Sequence, residues 1–447
     1  MASIRKRGDT YQITVSNGRD TSGRKILETT TFHPDPNRTE KQNQKALEAF
    51  ARNFEERVKN GQTAGDNITF ETFARNWLEN YVSVECKPTT EESYRRALEK
   101  WIFPRIGHMK VSEIKPSTIQ GVINGMRKDG YKYTNKKGTV RQGAYSERTL
   151  KDCQRTISAV LGAAELDGLI ARNPASLVRS RKNKTPEETK LNFWTAEQAT
   201  LFLDKIQAPL PVMVEEKIHH RRGKEVKVSG YIMKMVNVSW KWIAFFFLAF
   251  FSGCRKGEIL GLSWNDIDFE TEEININKAS YYTSAKGKYL DTPKTLTSYR
   301  KIIIPGCCMA ALKKWKSEQA REIMALGTAW TGDRQQKTGF VFTDETGGQL
   351  ATAVPGHYFK EYTKLINATL PPEQKLPHIR IHDCRHTSAS LLIAAGLDPV
   401  TVAHRLGHSD ATTTLRIYSH AFKESDRKAA DILEQALSFD KNSQAAI

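Results

Sequence analysis

Long apolar stretches are scarce in this 447-residue chain, although 39% of its residues are hydrophobic. The longest, Trp242 to Phe251, covers ten residues. A bilayer span needs about 20, so a buried helix is expected there and not a membrane anchor. The first residues, Met-Ala-Ser-Ile-Arg-Lys-Arg, lack the apolar centre of a signal peptide, and a cytoplasmic location is expected. Cysteine is sparse, with six residues at 86, 153, 254, 307, 308 and 384. Their spacing suits neither a zinc site nor a simple disulfide framework, which predicts reduced, mostly buried thiols. There is no Gly-Lys-Ser/Thr phosphate loop and no zinc-protease motif. His382, His386, His404 and His408 lie close in sequence, but no further ligand completes a metal set. No cofactor and no metal are therefore expected.

Negative charge is also in deficit. Fifty acidic residues face 68 Lys and Arg, giving a formal net charge of +18 and a pI near 9.5. A chain this basic is suited to a polyanion, above all nucleic acid. Its length allows two or three domains, each with its own core.

The patterning predicts a multidomain α+β protein. Tyr11, Ile13 and Val15 alternate with polar residues, Asn17-Gly18 and Ser22-Gly23 supply turns, and Ile26 to Phe32 continues as a strand. Strands over 3–33 should form a small three-stranded sheet. A helix from about Thr39 to Asn60 follows, with Leu47, Phe50, Phe54 and Val58 on one face. Residues 1–62 form this first unit, and a polar linker ends it. Residues 67–180 read as helical. Phe70, Phe73, Trp77 and Tyr81 mark one face; Tyr94, Leu98 and Trp101 mark the next. Ile119 to Met126 and Leu150 to Leu161 give two more helices, and Asn173-Pro174 closes the unit. The stretch 129–145 is Lys-, Gly- and Tyr-rich and is expected to be an exposed basic loop. A charged hinge over 180–190 leads into a third unit over 191–447. This should be mostly helical with a small antiparallel sheet from 264–269, 273–276 and 300–304. Residues 206–236 look like an inserted hairpin.

One constellation carries chemistry. His382-Asp-Cys-Arg385-His386 is followed by Leu406-Gly407-His408 and then Tyr418, and Gly253-Cys-Arg255-Lys-Gly-Glu258 lies far upstream. Arginine is permanently charged and donates through a fork. Two such groups can neutralise a pentavalent phosphate without metal. A phenol with a pKa near ~10 can attack phosphate if its proton is taken up.

The order Arg, His, Arg, His, Tyr strongly resembles the catalytic set of the tyrosine recombinases, the phage-integrase family. The spacings agree: Arg385 lies three after His382, His408 lies 23 after Arg385, and Tyr418 ten after His408. The resemblance implies that Tyr418 is the nucleophile and that Arg255 and Arg385 clamp the phosphate. It makes His382 a general base or proton-positioning group and His408 a donor to a phosphate oxygen. Glu258 would orient Arg255. The family's general acid is a hairpin lysine, and Asp291-Thr-Pro-Lys294-Thr points to Lys294, with Lys286 and Lys288 as competitors. The small basic sheet resembles the arm-binding domain of integrases from phages and conjugative transposons, which implies DNA contacts for Arg5, Lys6, Arg7, Arg19, Arg24 and Lys25. Residues 67–180 resemble the core-binding domain. The implied function is metal- and ATP-independent recombination through a 3′-phosphotyrosine and a Holliday junction. Implied partners are double-stranded attachment sites, three further protomers in a homotetramer, an excisionase and a DNA-bending host protein. Alternatives are a type IB topoisomerase or a non-catalytic DNA-binding protein of the same fold. The amphipathic stretch around Ile432, Leu433 and Leu437 could pack in cis or on a neighbouring protomer.

Overall fold

The computed structural model describes residues 2–447 apart from 20–22, 37, 60–67, 135–137, 179–191, 216–219, 222–223, 226–230, 293–298, 409, 411, 413, 416–432, 435–436 and 438–447. The chain forms two compact units, Met1–Thr185 and Pro186–Ile447.

The first unit holds two separate hydrophobic clusters. One belongs to the three-stranded antiparallel sheet β1 (Ser3–Arg7), β2 (Thr10–Arg19) and β3 (Lys25–Phe32), in that order, with helix α1 (Glu40–Lys59). Thr39 caps α1: its amide donates to Gln42 Oε1 at 2.9 Å, and its hydroxyl accepts from the Gln42 amide. Ile13 and Val15 of β2 meet Leu47, Ala51, Phe54 and Val58 of α1. Phe50, expected on that face, is instead exposed and rests against Phe32, ring centroids 5.5 Å apart. The smaller Ala51 fills the core position.

The second cluster is helical. It draws on α2 (Phe70–Trp77), α4 (Pro88–Ala97), α5 (Phe103–Ile106), α6 (Pro116–Asp129) and α7 (Glu147–Leu166), while the short α3 (Ser83–Glu85) buries none of its residues. Leu78–Val82 and Leu98–Ile102 are wider π-helical turns. An extra residue per turn rotates the face. Leu78 and Val82 therefore point inward, and Tyr81, expected in the core, is exposed. The expected loop over 129–145 is instead a hairpin, β4 (Tyr131–Thr134) paired with β5 (Val140–Gly143). Its Tyr-Lys-Tyr-Thr alternation is a strand pattern.

The second unit is built around α9 (Trp240–Phe251), whose residues Trp242 to Phe250 are all buried. The longest apolar run is thus a core helix, as expected, and no described helix is long and apolar enough to cross a membrane. Helices α8 (Ala196–Lys205), α11 (Gly306–Leu326) and α12 (Val354–Ala368) contribute to the same cluster. Trp242 stacks on Tyr358 at 4.2 Å, and Phe202 meets Phe359 at 5.1 Å. The inserted hairpin pairs β6 (Leu210–Glu215) with β9 (Tyr231–Val236), and between them β7 (His220–Arg221) pairs with β8 (Lys224–Glu225). The small antiparallel sheet follows the order β10 (Ile267–Asp268), β11 (Glu273–Ile276) and β14 (Arg300–Ile303). Trp264, expected to begin the first strand, lies in a 3-10 turn. A further hairpin, β12 (Ala279–Thr283) with β13 (Gly287–Asp291), was not anticipated.

Helix α10 (Lys256–Gly261) lies directly on β12. A Cβ on Gly257 would sit 2.8 Å from the Ser280 carbonyl oxygen, so only glycine permits that approach. Helices α13 (Asp383–Ala394) and α14 (Pro399–Leu406) complete the described elements.

Candidate active site

The site is assembled where α9 ends, α10 begins and α14 stops. Arg255 is the N-cap residue of α10, and Glu258 sits at the third helical position. Their spacing of three is thus that of a capping pair. Glu258 Oε2 accepts from the Arg255 amide and Oε1 from Arg255 Nη1, both at 2.8 Å. The carboxylate thereby closes the helix start and aims the guanidinium. Arg255 stays half-exposed, with its side chain 42% accessible. Its Nη2 donates to the Gly407 carbonyl at 3.2 Å.

Arg385 lies in the first turn of α13 and is buried. Its Nη1 donates to the carbonyls of Gly253, at 2.8 Å, and Leu406, at 2.7 Å. Arg255 and Arg385 therefore hold consecutive carbonyls of one turn, and His408 follows directly. That turn requires its glycine: Gly407 is left-handed, with φ +71°, as helix C-caps often are.

His408 is half-buried, and its Nδ1 lies 2.8 Å from Thr414 Oγ1. Burial, with the Arg385 and Arg255 charges adding, pushes its pKa down to about 4. His382 precedes α13 and lies 5.4 Å, ring to ring, from His386. His382 is exposed. Partial desolvation, then His386 and Arg385, depress its pKa below the ordinary imidazole value. Both rings are neutral near pH 7. Asp383 is buried and accepts from the Arg380 amide and guanidinium at 2.7 to 3.1 Å, which fixes the start of α13.

Two contributors were not foreseen. Arg300 of β14, its side chain 1% exposed, donates from Nη2 to Glu258 Oε2 at 2.8 Å. Its Nε donates to the Arg405 carbonyl at 2.8 Å. It thus ties the sheet to both α10 and the α14 terminus. The signal was present: Arg300 shares the inward phase of its strand with Ile302, an unusual place for a charge. The other contributor is Thr414, fully buried against His408. Burial pushes the Glu258 carboxyl up, but Arg300 and Arg255 outweigh it and hold it below the ordinary carboxylate range. Burial, reinforced by the Arg255 charge, lowers Arg385 to about 10.

Arg255, Glu258, His382, Arg385 and His408 are thus brought into one region. Lys294 and Tyr418 lie outside the described residues. Of the competing lysines, Lys288 is engaged by Asp344, at 3.0 Å, and the Gln349 carbonyl, at 2.6 Å. Lys286 lies over the Tyr289 ring at 5.0 Å. Neither joins the arginines. Among the described residues no group of His, Cys, Asp and Glu is arranged to hold a metal ion. In the first unit Arg5, Lys6, Arg7, Arg19, Arg24 and Lys25 are all exposed on the small sheet. Lys6 lies over Tyr11, and Arg19 donates to the Gly23 carbonyl.

The chain is similar to known proteins over most of its length. Residues 231–425 match the phage integrase family, and residues 69–127 match the phage integrase N-terminal SAM-like domain. A tyrosine recombinase XerC-like protein of Caldanaerobacter subterraneus is 28% identical over 95% of both chains. The ICEBs1 integrase of Bacillus subtilis is 26% identical over 65% of this chain and 67% of its own. A solved structure of the Tn1549 transposon integrase, in complex with transposon right-end DNA, shares the fold. Its TM-score is 0.57 at 23% identity, covering 82% of this chain and 99% of that one. With two domains of one family matched in order, and a relative aligned along nearly its whole length, the chain is a tyrosine recombinase of the phage integrase family, an enzyme of site-specific DNA recombination.

Proposed function

We propose that the protein is the integrase of a phage or conjugative transposon and that Tyr418 is its nucleophile. The observation that carries this reading is the joint anchoring of Arg255 and Arg385 on the Leu406–Gly407 turn, immediately before His408. Two fixed guanidiniums beside a neutral imidazole suit the non-bridging oxygens of a phosphodiester. With the Thr414 hydroxyl donating to Nδ1, the His408 hydrogen sits on Nε2 and can donate to phosphate. Tyr418 Oη attacks phosphorus and yields its proton toward His382. The P–O5′ bond breaks, and Lys294 supplies the proton that the 5′-oxygen takes up. The 3′-phosphotyrosine conserves the bond energy until a second 5′-hydroxyl attacks, so ATP is not required.

In this proposal residues 1–62 bind arm-type sites, 67–180 bind the core site and 191–447 catalyse. Arg5, Lys6, Arg7, Arg19, Arg24 and Lys25 would meet DNA. Four protomers would exchange strands through a Holliday junction in the bacterial cytoplasm, with an excisionase and a DNA-bending host protein setting direction. The resemblance of the exposed basic sheet to an arm-binding domain favours recombination over topoisomerase activity. The test is covalent trapping on nicked duplexes carrying the ends of the native element, without metal or ATP. A DNA-linked band that disappears in Tyr418→Phe is expected. Absence of any adduct on DNA that the protein binds would leave the non-catalytic reading. Religation of the original strand alone, with no joining to a second duplex, would favour the topoisomerase.

A further inference from the structure

The hairpin β4–β5 is not accounted for by the family resemblance, since the match to the SAM-like domain stops at residue 127. Between Asp129 and Glu147 the chain carries Lys132, Lys136, Lys137 and Arg141 and not one carboxylate. A stretch kept only for solubility has no need of such one-sided charge.

The hairpin is also anchored. Gly130, with φ +62°, starts it, and a Cβ there would collide with the Gly143 carbonyl. A chain of aromatic rings then runs down from the strand to the helices. Tyr133 meets Tyr131 at 6.1 Å, Tyr131 meets Tyr145 at 5.7 Å, and Tyr145 meets Trp101 at 5.9 Å. Arg141 pairs with Tyr133 in register, so both project from one face, and Lys132 projects from the other. Tyr133 and Arg141 are exposed. Trp101, where the ring chain ends, lines a groove between α4 and α7 together with Arg96, Lys100 and Arg148. Its indole Nε1 is buried with no hydrogen-bond partner among the described residues.

We propose that β4–β5 is an added DNA-backbone clamp, which extends the basic groove along a duplex and holds a phosphate with Arg141 and a sugar edge with Tyr133. Charge complementarity selects the occupant: a cationic, carboxylate-free strip with an exposed tyrosine fits a phosphate backbone better than a protein surface. The proposal rests on the DNA-recombinase reading above.

The test compares the full chain with an Arg141→Gln variant on duplexes carrying the native element ends, over a range of salt concentrations. Loss of that phosphate contact should weaken binding and make the log–log salt slope shallower by about 0.9. Ethylation interference should disappear at the phosphate that Arg141 touches. Tyr133→Ala should weaken binding with the slope unchanged. These side chains are exposed, so melting temperatures should match wild type. A variant that keeps wild-type affinity and slope overturns the clamp while leaving the DNA reading intact. A variant that loses self-association but not DNA affinity overturns it in favour of a protein contact. Failure of the wild type to bind any element DNA removes the DNA reading itself, and the clamp with it.

Discussion

Arg300 and Glu258 form an enclosed ion pair, Nη2 to Oε2 at 2.8 Å, with side chains 1% and 4% exposed. The same carboxylate aims Arg255. Removing one member of a buried pair strands the other, typically at about 3–5 kcal/mol. Arg300→Met should lose stability on that scale in urea melts and reduce trapping further than its stability loss explains. Arg300→Lys, which keeps the charge but not the fork, should recover part of both. Measured stability within about 0.5 kcal/mol of wild type, the usual range for surface changes, would show that the pair does not have this role.

Gly407→Ala tests the turn that both arginines hold. The left-handed backbone costs a side chain about 1–2 kcal/mol. The new Cβ would also sit 2.7 Å from Arg300 Nη1. Destabilisation together with weakened trapping is expected. A stable, fully active variant would mean that the turn can move without consequence.

The two histidines make an acid-side prediction. A histidine whose folded pKa lies below its unfolded value leaves the unfolded chain with more protons at acid pH. For His408 the stabilisation is full above 6.5 and is lost as pH falls through the window down to about 4. His382 shifts in the same direction. Titration of the DNA-free protein by NMR should find both rings neutral at pH 6. Midpoints at the ordinary value would contradict the described environment.

Lys294 and Lys288 can be separated chemically. Lys294→Ala should abolish cleavage of ordinary DNA but leave cleavage of a 5′-phosphorothiolate largely intact, because a thiolate leaves without a proton. Lys288→Ala should need no such rescue, since its ammonium is held by Asp344. The reverse pattern would exchange their assignments.

Thiol labelling should follow burial. Cys153 is pushed up to about 12 by burial, and Cys254, Cys308 and Cys384 are raised for the same reason. Exposed Cys307 should alkylate first and half-buried Cys86 next, with the other four protected until unfolding. Early labelling of Cys254 would indicate an open site.

Much of this architecture was legible because it rests on local chemistry. The α9 run could only be a core helix, Thr39 marked a helix start, and the Arg255-to-Glu258 and Leu406-Gly407-His408 patterns are caps as much as catalytic motifs. What stayed hidden depended on register or distance. A π-turn rotates Tyr81 outward, and no periodicity rule anticipates the extra residue. The inward phase of Arg300 was readable, but its partner lies 42 positions away. The hairpin at 131–143 was obscured by its lysines, which suggested a loop although the tyrosines alternate.

Three guanidiniums, those of Arg255, Arg300 and Arg385, crowd around Glu258 and the carbonyls of one helix terminus. On the proposed reading an incoming phosphate would offset that like charge. The substrate then acts as a missing piece of the fold: whatever binds only the native state stabilises it by mass action. On that reading the protein is expected to be more stable on DNA than off it.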